Sequence, residues 1–571
     1  MLKYYAILIV IFTNGYILMS QDHITPFERD TNYSASYHEC VDYYKGLAKD
    51  FSLLTIAEAG PSDAGLPIYE IVIQSQDVSQ VEDKLVLFIN NAIHPGEPCG
   101  VDASMIFARD LCTKKEFIKL LEKVIVVIIP YYNVGGGLKR GSFSRANQEG
   151  PKEYGFRGNA KNLDLNRDFV KCDSKNAKTF NRLYNKWTPE VFIDNHTSNG
   201  ADYQYVMTLI ATQKDKLGPS MSKQLSESML PKLYSDMSLT PYEMTPYVYA
   251  KHTPDHGIIG FLDSPRYSTG YAALHHSIGF MPETHMLKPF YDRVWSTYHF
   301  MSTTISYCYQ NKEQLIQAYE VDVNYYANQK TIPIDWKISE EDVEEISFKG
   351  YQAGTKKSNI SGQDRLYYDR TKPFEKLIPF RNKYIPTKEV SKPKLYIIPQ
   401  AYDKVIDRLL LNGVKINRLN KDTIIEVEYY YIENYKTVQK PYEGHYLHYD
   451  IELSKRTMKE NWHKGDYVIE TGQETDRYIV ETLEPEAPDS FFAWNFFDGI
   501  LGQKEYFSDY VFEDLAEKIL QNDPELKNKF ELKKKQDQDF SNDAKAQLTY
   551  IYKQSPYYEN TNSRYPIGRV F

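Results

Sequence analysis

The chain has 571 residues, of which 42% are apolar and 25% are charged. This composition is typical of soluble globular proteins and excludes collagen-like, coiled-coil and wholly disordered chains. The 68 Lys and Arg against 77 Asp and Glu leave a formal net charge of −9, which disfavours nucleic-acid binding because nucleic-acid-binding domains are usually basic. The five cysteines form no Cys-x-x-Cys pair, so a cysteine-based zinc finger and a thioredoxin-like redox site are also excluded.

The first twenty residues predict a secretory signal peptide. Lys3 supplies a positive start, residues 4–13 are apolar, and a polar segment follows a predicted cut near Ser20. A membrane anchor is the alternative, but the Asn-Gly pair at 14–15 interrupts the run, which is short of the ~20 apolar residues that span a bilayer. We therefore predict a secreted or periplasmic protein with no stable membrane insertion once residues 1–20 are removed.

After this leader, the apolar patterns predict helices and short strands in alternation. In chain order these are a helix at 40–49, strands at 68–74 and 85–89, a helix at 101–111, a strand at 124–130, a helix at 176–185, a strand at 191–194, a helix at 221–237, a strand at 278–281 and a helix at 290–307. Near-continuous apolar strands between helices indicate a sheet that is buried on both faces. The predicted fold class is α/β, with a mixed, largely parallel central sheet and helices on both faces.

The composition changes near residue 320, beyond which the chain is polar and carries scattered prolines. We interpret 321–393 as a boundary region with irregular β structure. Residues 394–571 predict a smaller α+β domain of unknown role, which begins with a strand at 395–399, a helix at 402–411 and a strand at 414–419 and whose ordered part ends in a helix near 509–520. The mixed-charge run at 531–539 predicts a solvated helix end. The predicted organisation is a signal peptide at 1–20, a main domain at 21–320, the boundary region and the C-terminal domain.

Two metal-ligand candidates come directly after the predicted strand at 85–89. His94 and Glu97 are three residues apart in a Pro-Gly turn, so that an imidazole and a carboxylate can face one ion. Catalytic zinc sites often use two His and one Glu and leave a position for water. By itself His-x-x-Glu is a weak pattern, because a capped turn with two surface polar residues gives the same letters.

Two further polar residues stand at the ends of predicted strands. The strand at 191–194 runs into His196, and the strand at 278–281 runs into Glu283. In open α/β sheets the ligand crevice lies beyond the carboxyl ends of the strands. We therefore expect these two side chains to meet the turn that carries His94.

The segment 156–169 concentrates cationic and amide side chains in a stretch of low hydrophobicity. It contains Arg157, Asn166 and Arg167. Two guanidinium groups can hold a carboxylate or a developing oxyanion, and arginine suits planar carboxylate recognition better than lysine. A solvated loop with local hydrogen bonds is the alternative for this segment taken alone.

Together, these residues resemble the zinc carboxypeptidases, the M14-type metallocarboxypeptidase family of carboxypeptidases A and D. That family shows His-x-x-Glu, an arginine followed by Asp-x-Asn-Arg, then His and then Glu, in this order. The resemblance covers roughly residues 30–310 and makes 21–320 the catalytic domain. The phrase at 280–289 is similar to a bacterial branch of the family.

The resemblance implies one zinc ion per chain, with His94, Glu97 and His196 as its ligands. It also implies that Asp164 orients the first zinc histidine, a role that carboxylates commonly play at zinc sites. Glu283 is then the general base that takes a proton from zinc-activated water.

On the substrate side, the resemblance implies that Arg157 polarises the scissile carbonyl and that Asn166 and Arg167 bind the terminal carboxylate of a peptide or peptide-like substrate. The family's mobile substrate-binding tyrosine has no secure counterpart here. We predict Tyr267 for this role, with Tyr271 as the alternative.

Two positions qualify the resemblance. Asp168 stands where the family has Asn, and a carboxylate there could weaken the anion affinity of Arg167 or orient its side chain. Arg266, next to the predicted tyrosine, is a further candidate contact for an anionic substrate.

The sequence thus predicts a zinc metallocarboxypeptidase that removes C-terminal residues from peptides. The first alternative is a zinc amidohydrolase on the same scaffold, which trims cell-wall peptides or deacylates N-acyl amino acids. The second is a catalytically silent binding protein, against which the intact Glu283 and ligand set argue. No motif indicates an oligomeric state.

Overall fold

The computed structural model describes residues 23–75 and 84–571, so the predicted signal peptide lies outside the described residues. A mixed sheet organises the first half of the described chain. In chain order, the strands of this half are β1 (Leu54–Pro61), β2 (Pro67–Ile73), β3 (Leu85–Asn90), β4 (Val124–Ile129), β5 (Val191–Asp194), β6 (His196–Ser198), β7 (Met207–Ala211), β8 (Met244–Pro246), β9 (Ile258–Ile259) and β10 (Ile278–His285). All but β9 belong to this sheet, whose order is β1-β2-β4-β3-β5-β10-β7-β8, with β6 beside β10.

Helices separate and cover these strands. In chain order they are α1 (Pro26–Arg29), α2 (Tyr37–Asp50), α3 (Cys99–Thr113), α4 (Lys115–Ile118), α5 (Val134–Leu138), α6 (Lys175–Trp187), α7 (Pro219–Lys223), α8 (Leu230–Ser238), α9 (Ser268–Leu274), α10 (Phe290–Gln310) and α11 (Lys312–Asn328). The helix predicted at 221–237 is interrupted, because a π-helical segment, Gln224–Met229, joins α7 to α8. Pro231 has no N–H for a regular ladder, and the helix changes type just before it.

The strands at the centre of the sheet are parallel. β3 pairs in parallel with β4 and β5, and β5 pairs in parallel with β10. Paired residues share a face, so Phe88 and Phe192 point to one side, where their rings pack against Phe180 of α6. Phe280 points to the other side and packs edge-on against Phe300 of α10. Helices therefore lie on both faces, and the predicted fold class is confirmed.

The carboxyl ends of these parallel strands meet at one edge of the sheet. Asn90, the last residue of β3, is paired with Asp194, the last residue of β5, and its Nδ2 donates to Asp194 Oδ1 at 2.9 Å. The chain leaves the sheet at this edge toward His94 on one strand and His196 on the other. Topology alone therefore brings the two histidines into one region.

Residues 331–391 form regular strands where the sequence suggested irregular structure. They are β11 (Thr331–Ile338), β12 (Glu344–Lys357), β13 (Asp364–Arg381) and β14 (Tyr384–Ser391). β11 pairs with β14, and the β12–β13 hairpin pairs with β9. Prolines occur in these strands because small sheets have open edges, where a residue without N–H is tolerated. Residue 321, the predicted start of the boundary region, lies inside α11.

The last part of the chain forms a six-stranded sheet with flanking helices. Its elements are β15 (Leu395–Ile398), α12 (Asp403–Leu411), β16 (Asn417–Arg418), β17 (Thr423–Thr437), β18 (His448–Trp462), β19 (Tyr467–Glu470), α13 (Asp476–Leu483), α14 (Asp509–Asn522), α15 (Pro524–Gln536), α16 (Gln538–Asn542), α17 (Ala544–Lys553) and β20 (Gly568–Val570). We refer to residues 394–571 as the C-terminal unit.

The prediction that order ends near residue 520 is wrong. Three helices follow α14, and β20 then returns to pair with β15 and β17. The mixed-charge run that suggested a solvated end is flanked by Phe530 and Phe540, whose rings pack at 5.9 Å in a small apolar core. These helices carry charged side chains on their outer face, so the local amino-acid composition did not reveal the apolar face.

The C-terminal unit packs on the first half of the chain through buried polar contacts. Arg477 of α13 donates to the carbonyl oxygen of Ala273 at 2.7 Å, and Asn412 accepts from the Tyr271 hydroxyl at 2.5 Å. Buried polar groups of this kind need their partners, so the two halves stabilise each other. Within 23–75 and 84–571, no helix has both the length and the apolar character needed to cross a bilayer.

Candidate active site and metal centre

Three side chains converge at the carboxyl edge of the central sheet. The Nδ1 atoms of His94 and His196 each lie 3.2 Å from an oxygen of Glu97, one from Oε1 and the other from Oε2. One ligand atom from each residue lies within 4.8 Å of the others, and all three residues are buried. The structure thus brings together the three predicted zinc ligands as a group that could hold one metal ion.

The turn after β3 places the first two of these residues. Glu97 N donates to the His94 carbonyl oxygen at 2.8 Å, which closes the turn and puts both side chains on one side. Thr197 N donates to Glu97 Oε2 at 2.8 Å, so the backbone that carries the second histidine also fixes this carboxylate. Glu97 is therefore held in place before any ion binds.

A carboxylate stands behind each histidine. Asp164 Oδ1 lies 2.9 Å from His94 Nε2, and Asp194 Oδ2 lies 2.9 Å from His196 Nε2. Such contacts hold the Nε2 proton and leave Nδ1 as the ligand atom. Asp164 was predicted, whereas Asp194 was not. Asp194 could have been identified because it stands two residues before His196, a spacing that puts both side chains on one face of an extended chain.

The donor set fits a zinc ion. His94 Nδ1 is buried and lies 3.2 Å from Glu97 Oε1, but it makes no hydrogen bond to any described residue, although a buried polar atom is normally satisfied. Two imidazole nitrogens and one carboxylate are the ligands of many catalytic zinc sites. The pKa of Glu97 lies well below its ordinary value, because His94 and Arg145 outweigh the effect of burial, so the carboxylate is ionised as a ligand must be.

Glu283 lies beside this group. It pairs with His196 in the parallel register of β10 and β6, which places the two side chains next to each other. It is 8% exposed, and its Oε2 has no hydrogen-bond partner within the described part of the chain. Burial, together with the charge of Glu97, raises its pKa to about 7. A carboxyl group with such a pKa can both take up and release a proton near neutrality.

Arg157 contacts two carboxylates of this site, those of Glu97 and Asp164. Its Nη1 lies 3.3 Å from Glu97 Oε1, and its Nε donates to Asp164 Oδ2 at 2.9 Å. Its side chain is 44% exposed and lines the cleft. The guanidinium is thus oriented by two carboxylates while part of it still faces the cleft.

The predicted carboxylate-binding residues lie at one wall of the cleft. Asn166 Oδ1 accepts from Ser268 N at 3.2 Å, which leaves its Nδ2 as the group that can donate to a ligand. The Arg167 guanidinium lies over the Tyr267 ring, 4.4 Å from its centre. All three predicted residues line the cleft.

Asp168 takes no part in this wall. It is fully buried and accepts from the Lys171 ammonium at 2.8 Å and from the backbone N–H groups of Asp173 and Ser174. The carboxylate that replaces the family's Asn therefore neither weakens nor orients Arg167 and instead stabilises the turn that follows.

Tyr271, the alternative to Tyr267, and Arg266, the further candidate contact for an anion, lie away from the cleft. Tyr271 is fully buried, and its hydroxyl donates to Asn412. Arg266 forms an ion pair with Asp489, with Nε and Oδ1 2.8 Å apart, and its backbone N–H donates to the same carboxylate. Neither side chain lines the cleft, so neither is placed to touch a substrate.

The cleft has a volume of about 450 Å³ and contains residues that the sequence did not indicate. Arg145 donates from Nη1 to Glu97 Oε1 at 3.0 Å and from Nη2 to the Thr197 carbonyl oxygen at 3.1 Å. A Cβ at Gly96 would lie 2.7 Å from Arg145 Cδ, so this approach depends on glycine in the His-Pro-Gly-Glu turn. In the local sequence, only Gly96 indicated a close contact at this turn, and it did not show that the contact is with Arg145. Further unpredicted lining residues are Tyr247, Phe261, Met281 and Met286.

Comparison with known proteins points to one family. Residues 40–354, more than half of the chain, match the family model Peptidase_M14, described as zinc carboxypeptidase. Among curated proteins, the chain is 22% identical over 471 residues to carboxypeptidase 2 of Trichophyton rubrum, which covers 79% of this chain and 81% of the relative. Carboxypeptidase 2 of Trichophyton tonsurans is 22% identical over 426 residues, or 72% of this chain and 73% of the relative.

Solved structures of similar proteins are more distant. A metallo-carboxypeptidase from Pseudomonas aeruginosa, in complex with (2-guanidinoethylmercapto)succinic acid, is 14% identical with a TM-score of 0.38, covering 49% of this chain and 70% of that one. Bovine thrombin-activatable fibrinolysis inhibitor, in complex with tick carboxypeptidase inhibitor, is 12% identical with a TM-score of 0.35, covering 50% and 98%. At these TM-scores the assignment rests on the sequence comparisons.

Proposed function

Because the chain belongs to the zinc carboxypeptidase family and is thus a zinc metallopeptidase, we propose that it is a carboxypeptidase that hydrolyses the C-terminal amide bond of peptides. The observation that carries this proposal is one cleft with two kinds of group. The buried His94-Glu97-His196 cluster and the Arg167 guanidinium line the same cleft. The first suits amide hydrolysis, and the second suits a substrate that ends in a carboxylate.

We propose that His94, Glu97 and His196 hold the zinc ion. Zinc bound there would act as a Lewis acid toward the scissile carbonyl and lower the pKa of a water molecule. The chain prepares this position through Asp164 and Asp194, which keep the two imidazoles in the tautomer that points Nδ1 inward.

We propose that Glu283 moves the proton. Its free Oε2 can accept a proton from the attacking water and then deliver it to the leaving amine. The raised pKa of this carboxyl group supports both steps, because the group is neither too weak a base nor too weak an acid near neutral pH.

Two arginines and one amide account for the charges of the substrate. Arg157, fixed by Asp164 and Glu97, is placed to stabilise the oxyanion that forms when the carbonyl is attacked. We propose that Arg167 and Asn166 bind the terminal carboxylate. We propose that Tyr267 adjoins that carboxylate, since its ring lies under the Arg167 guanidinium.

The test uses a pair of peptides that differ only at the C-terminus, one with a free carboxylate and one amidated. The zinc-loaded protein without residues 1–20 is incubated with each peptide, and the products are measured by mass spectrometry. Release of the last residue from the free peptide alone is the expected result. Equal cleavage of both peptides would contradict recognition of the carboxylate. If neither is cleaved but an N-acyl amino acid or a cell-wall peptide is, the protein is the alternative amidohydrolase. A protein that binds no zinc would be the silent alternative.

Export and lineage are separate proposals. The charged start and apolar run of residues 1–20 support secretion or delivery to a periplasm, and N-terminal sequencing of the exported protein should find a start near Gln21. A start at residue 1 would contradict export by this route. The phrase at 280–289 supports a bacterial branch of the family, whereas the relatives named above are fungal.

A further inference from the structure

We propose that the C-terminal unit supplies Tyr442 and Glu443 as positioning residues for recognition of the substrate's terminal carboxylate. This inference rests on the proposed carboxypeptidase function. Both residues lie in a tight turn between β17 and β18, and the turn reaches the loop that carries Asp164 and Arg167. The unit whose role the sequence left open therefore contacts the wall of the cleft directly.

The turn has a backbone that its sequence does not favour. Tyr442 N donates to the His445 carbonyl oxygen at 2.7 Å, and His445 N donates back to Tyr442 at 3.0 Å. The two central residues, Glu443 and Gly444, have φ values of 50° and 84°. Such two-residue turns favour Asn-Gly or Asp-Gly, because most side chains are strained at positive φ. Glutamate at the first position is therefore explained by a contact of its side chain and not by the turn itself.

Glu443 and its neighbour Tyr442 both contact the loop that carries Asp164 and Arg167. Glu443 Oε2 accepts from the backbone N–H of Asp164 at 2.7 Å. The Tyr442 hydroxyl accepts from Arg167 Nε at 3.0 Å. One contact fixes the backbone where Asp164 turns toward His94, and the other fixes the plane of the guanidinium.

These contacts orient the Arg167 guanidinium and still leave some of its N–H donors without a partner in the described part of the chain. Arginine has five N–H donors. Tyr442 takes the Nε donor, and the Asn166 carbonyl oxygen takes one donor of Nη1 at 2.7 Å. The Tyr267 ring supports one face of the plane. Nη1 also lies 4.0 Å from Asp164 Oδ2 in an ion pair, whereas no hydrogen bond among residues 23–75 and 84–571 involves Nη2, so the two Nη2 donors of a fixed group are left for an anion.

The turn is itself held in place. The Tyr442 ring stacks on the buried Trp494 ring, with centres 6.0 Å apart and an interplanar angle of 18°. The Arg266 guanidinium lies over both rings, 5.6 Å from the first and 5.1 Å from the second. His445 Nε2 lies 2.7 Å from Asp173 Oδ2. These contacts hold the turn, so the Tyr442 hydroxyl has a fixed position from which it can orient Arg167.

The first test is Tyr442→Phe, which removes one hydroxyl and keeps the stacked ring. We expect KM for the free-carboxylate peptide to rise roughly three- to tenfold, the loss of a hydrogen bond that preorganises a charged group, while kcat stays within about twofold. Zinc content and Tm should match the unchanged protein. Tyr446→Phe, the same change at a neighbouring side chain that is 51% exposed, is the control and should leave KM unchanged.

The second test is Glu443→Asn, which suits the turn and removes the carboxylate that reaches Asp164. Because this carboxylate holds the backbone of the loop that carries Arg167, we expect a rise in KM of similar size. The Tm should be equal or higher, since Asn-Gly is favoured in this turn. If both variants keep the original KM while the unchanged protein still prefers the free carboxylate, the positioning role is wrong and the carboxypeptidase function stands. A joint fall of kcat and Tm in both variants would also overturn it, since that indicates a structural role only. If the unchanged protein cleaves neither peptide, both proposals fail.

Discussion

The two sides of the cleft are built in different ways. The metal side lies at the ends of neighbouring parallel strands, with His94 after β3, His196 after β5 and Glu283 in β10. The carboxylate side is a loop around Arg167 that is held by Tyr442 of the C-terminal unit, 275 residues further along the chain. The first side follows from the topology of one sheet, whereas the second depends on packing between two halves of the molecule.

This difference separates two properties of the proposed enzyme. The metal ligands are buried and their direct partners lie in the first half of the chain, while the C-terminal unit reaches them only through the Glu443 contact with the backbone of Asp164, so metal binding should respond mainly to changes in the first half. The Arg167 wall is partly exposed and takes contacts from the C-terminal unit, so substrate affinity should respond to changes in either half. Substitutions on the two sides should therefore give distinct signatures.

The largest effect is expected for His196→Ala, which removes one of three ligands. The protein should lose its zinc and with it all peptide hydrolysis, because two remaining ligands hold the ion weakly. Elemental analysis after dialysis gives the zinc content per chain. His256→Ala, at a histidine that is 69% exposed, is the control and should keep its zinc. Full zinc retention by His196→Ala would remove this residue from the metal side.

Glu283→Gln should affect the chemical step and leave the metal in place. Since the amide cannot take up the proton, we expect kcat to fall by about 10²- to 10⁴-fold, the usual contribution of a general base. Steady-state kinetics and zinc analysis on the same sample measure both quantities. An unchanged kcat would show that another group moves the proton.

Arg167→Lys tests the carboxylate side alone. Lysine keeps the charge but lacks the planar fork and the Nε–H that Tyr442 accepts, so KM for the free-carboxylate peptide should rise about 10- to 100-fold. The zinc content should be unchanged. Loss of zinc in this variant would show that the two sides are not independent.

The smallest effect on catalysis is expected for Asp168→Asn, although this position lies beside Arg167 in the sequence. The substitution weakens the buried pair with Lys171 and should lower the free energy of unfolding by about 2 kcal/mol. KM and kcat should stay near their original values. Thermal unfolding and kinetics together test this, and a large change in KM would place Asp168 in the carboxylate wall after all.

The same contrast explains what could be predicted from the sequence. The apolar strands and the residues after them predicted the sheet and the grouping of His94 with His196, because strand ends meet at one edge. Asp194 could have been found from its spacing to His196. Arg145 and Tyr442 could not, since their partners are distant in the chain and no local pattern marks a long-range contact.

The C-terminal unit shows the same limit. Its first strand–helix–strand unit was predicted from local patterns, but the return of β20 to β15 was not, because that pairing joins segments far apart in the chain. The end of the ordered region was misplaced for a physical reason. α15 has charged side chains around a few buried apolar ones, Leu526 and Phe530, so its composition is that of a solvated segment.

The most direct measurement is the anomalous scattering of a crystal of the zinc-loaded protein, recorded on both sides of the zinc absorption edge. The expected result is one strong peak per chain, next to Nδ1 of His94, Nδ1 of His196 and the carboxylate of Glu97, with Glu283 beside it but not bound. A peak surrounded by other side chains, or two histidines that face away from any ion in a crystal that contains zinc, would contradict the proposed metal centre.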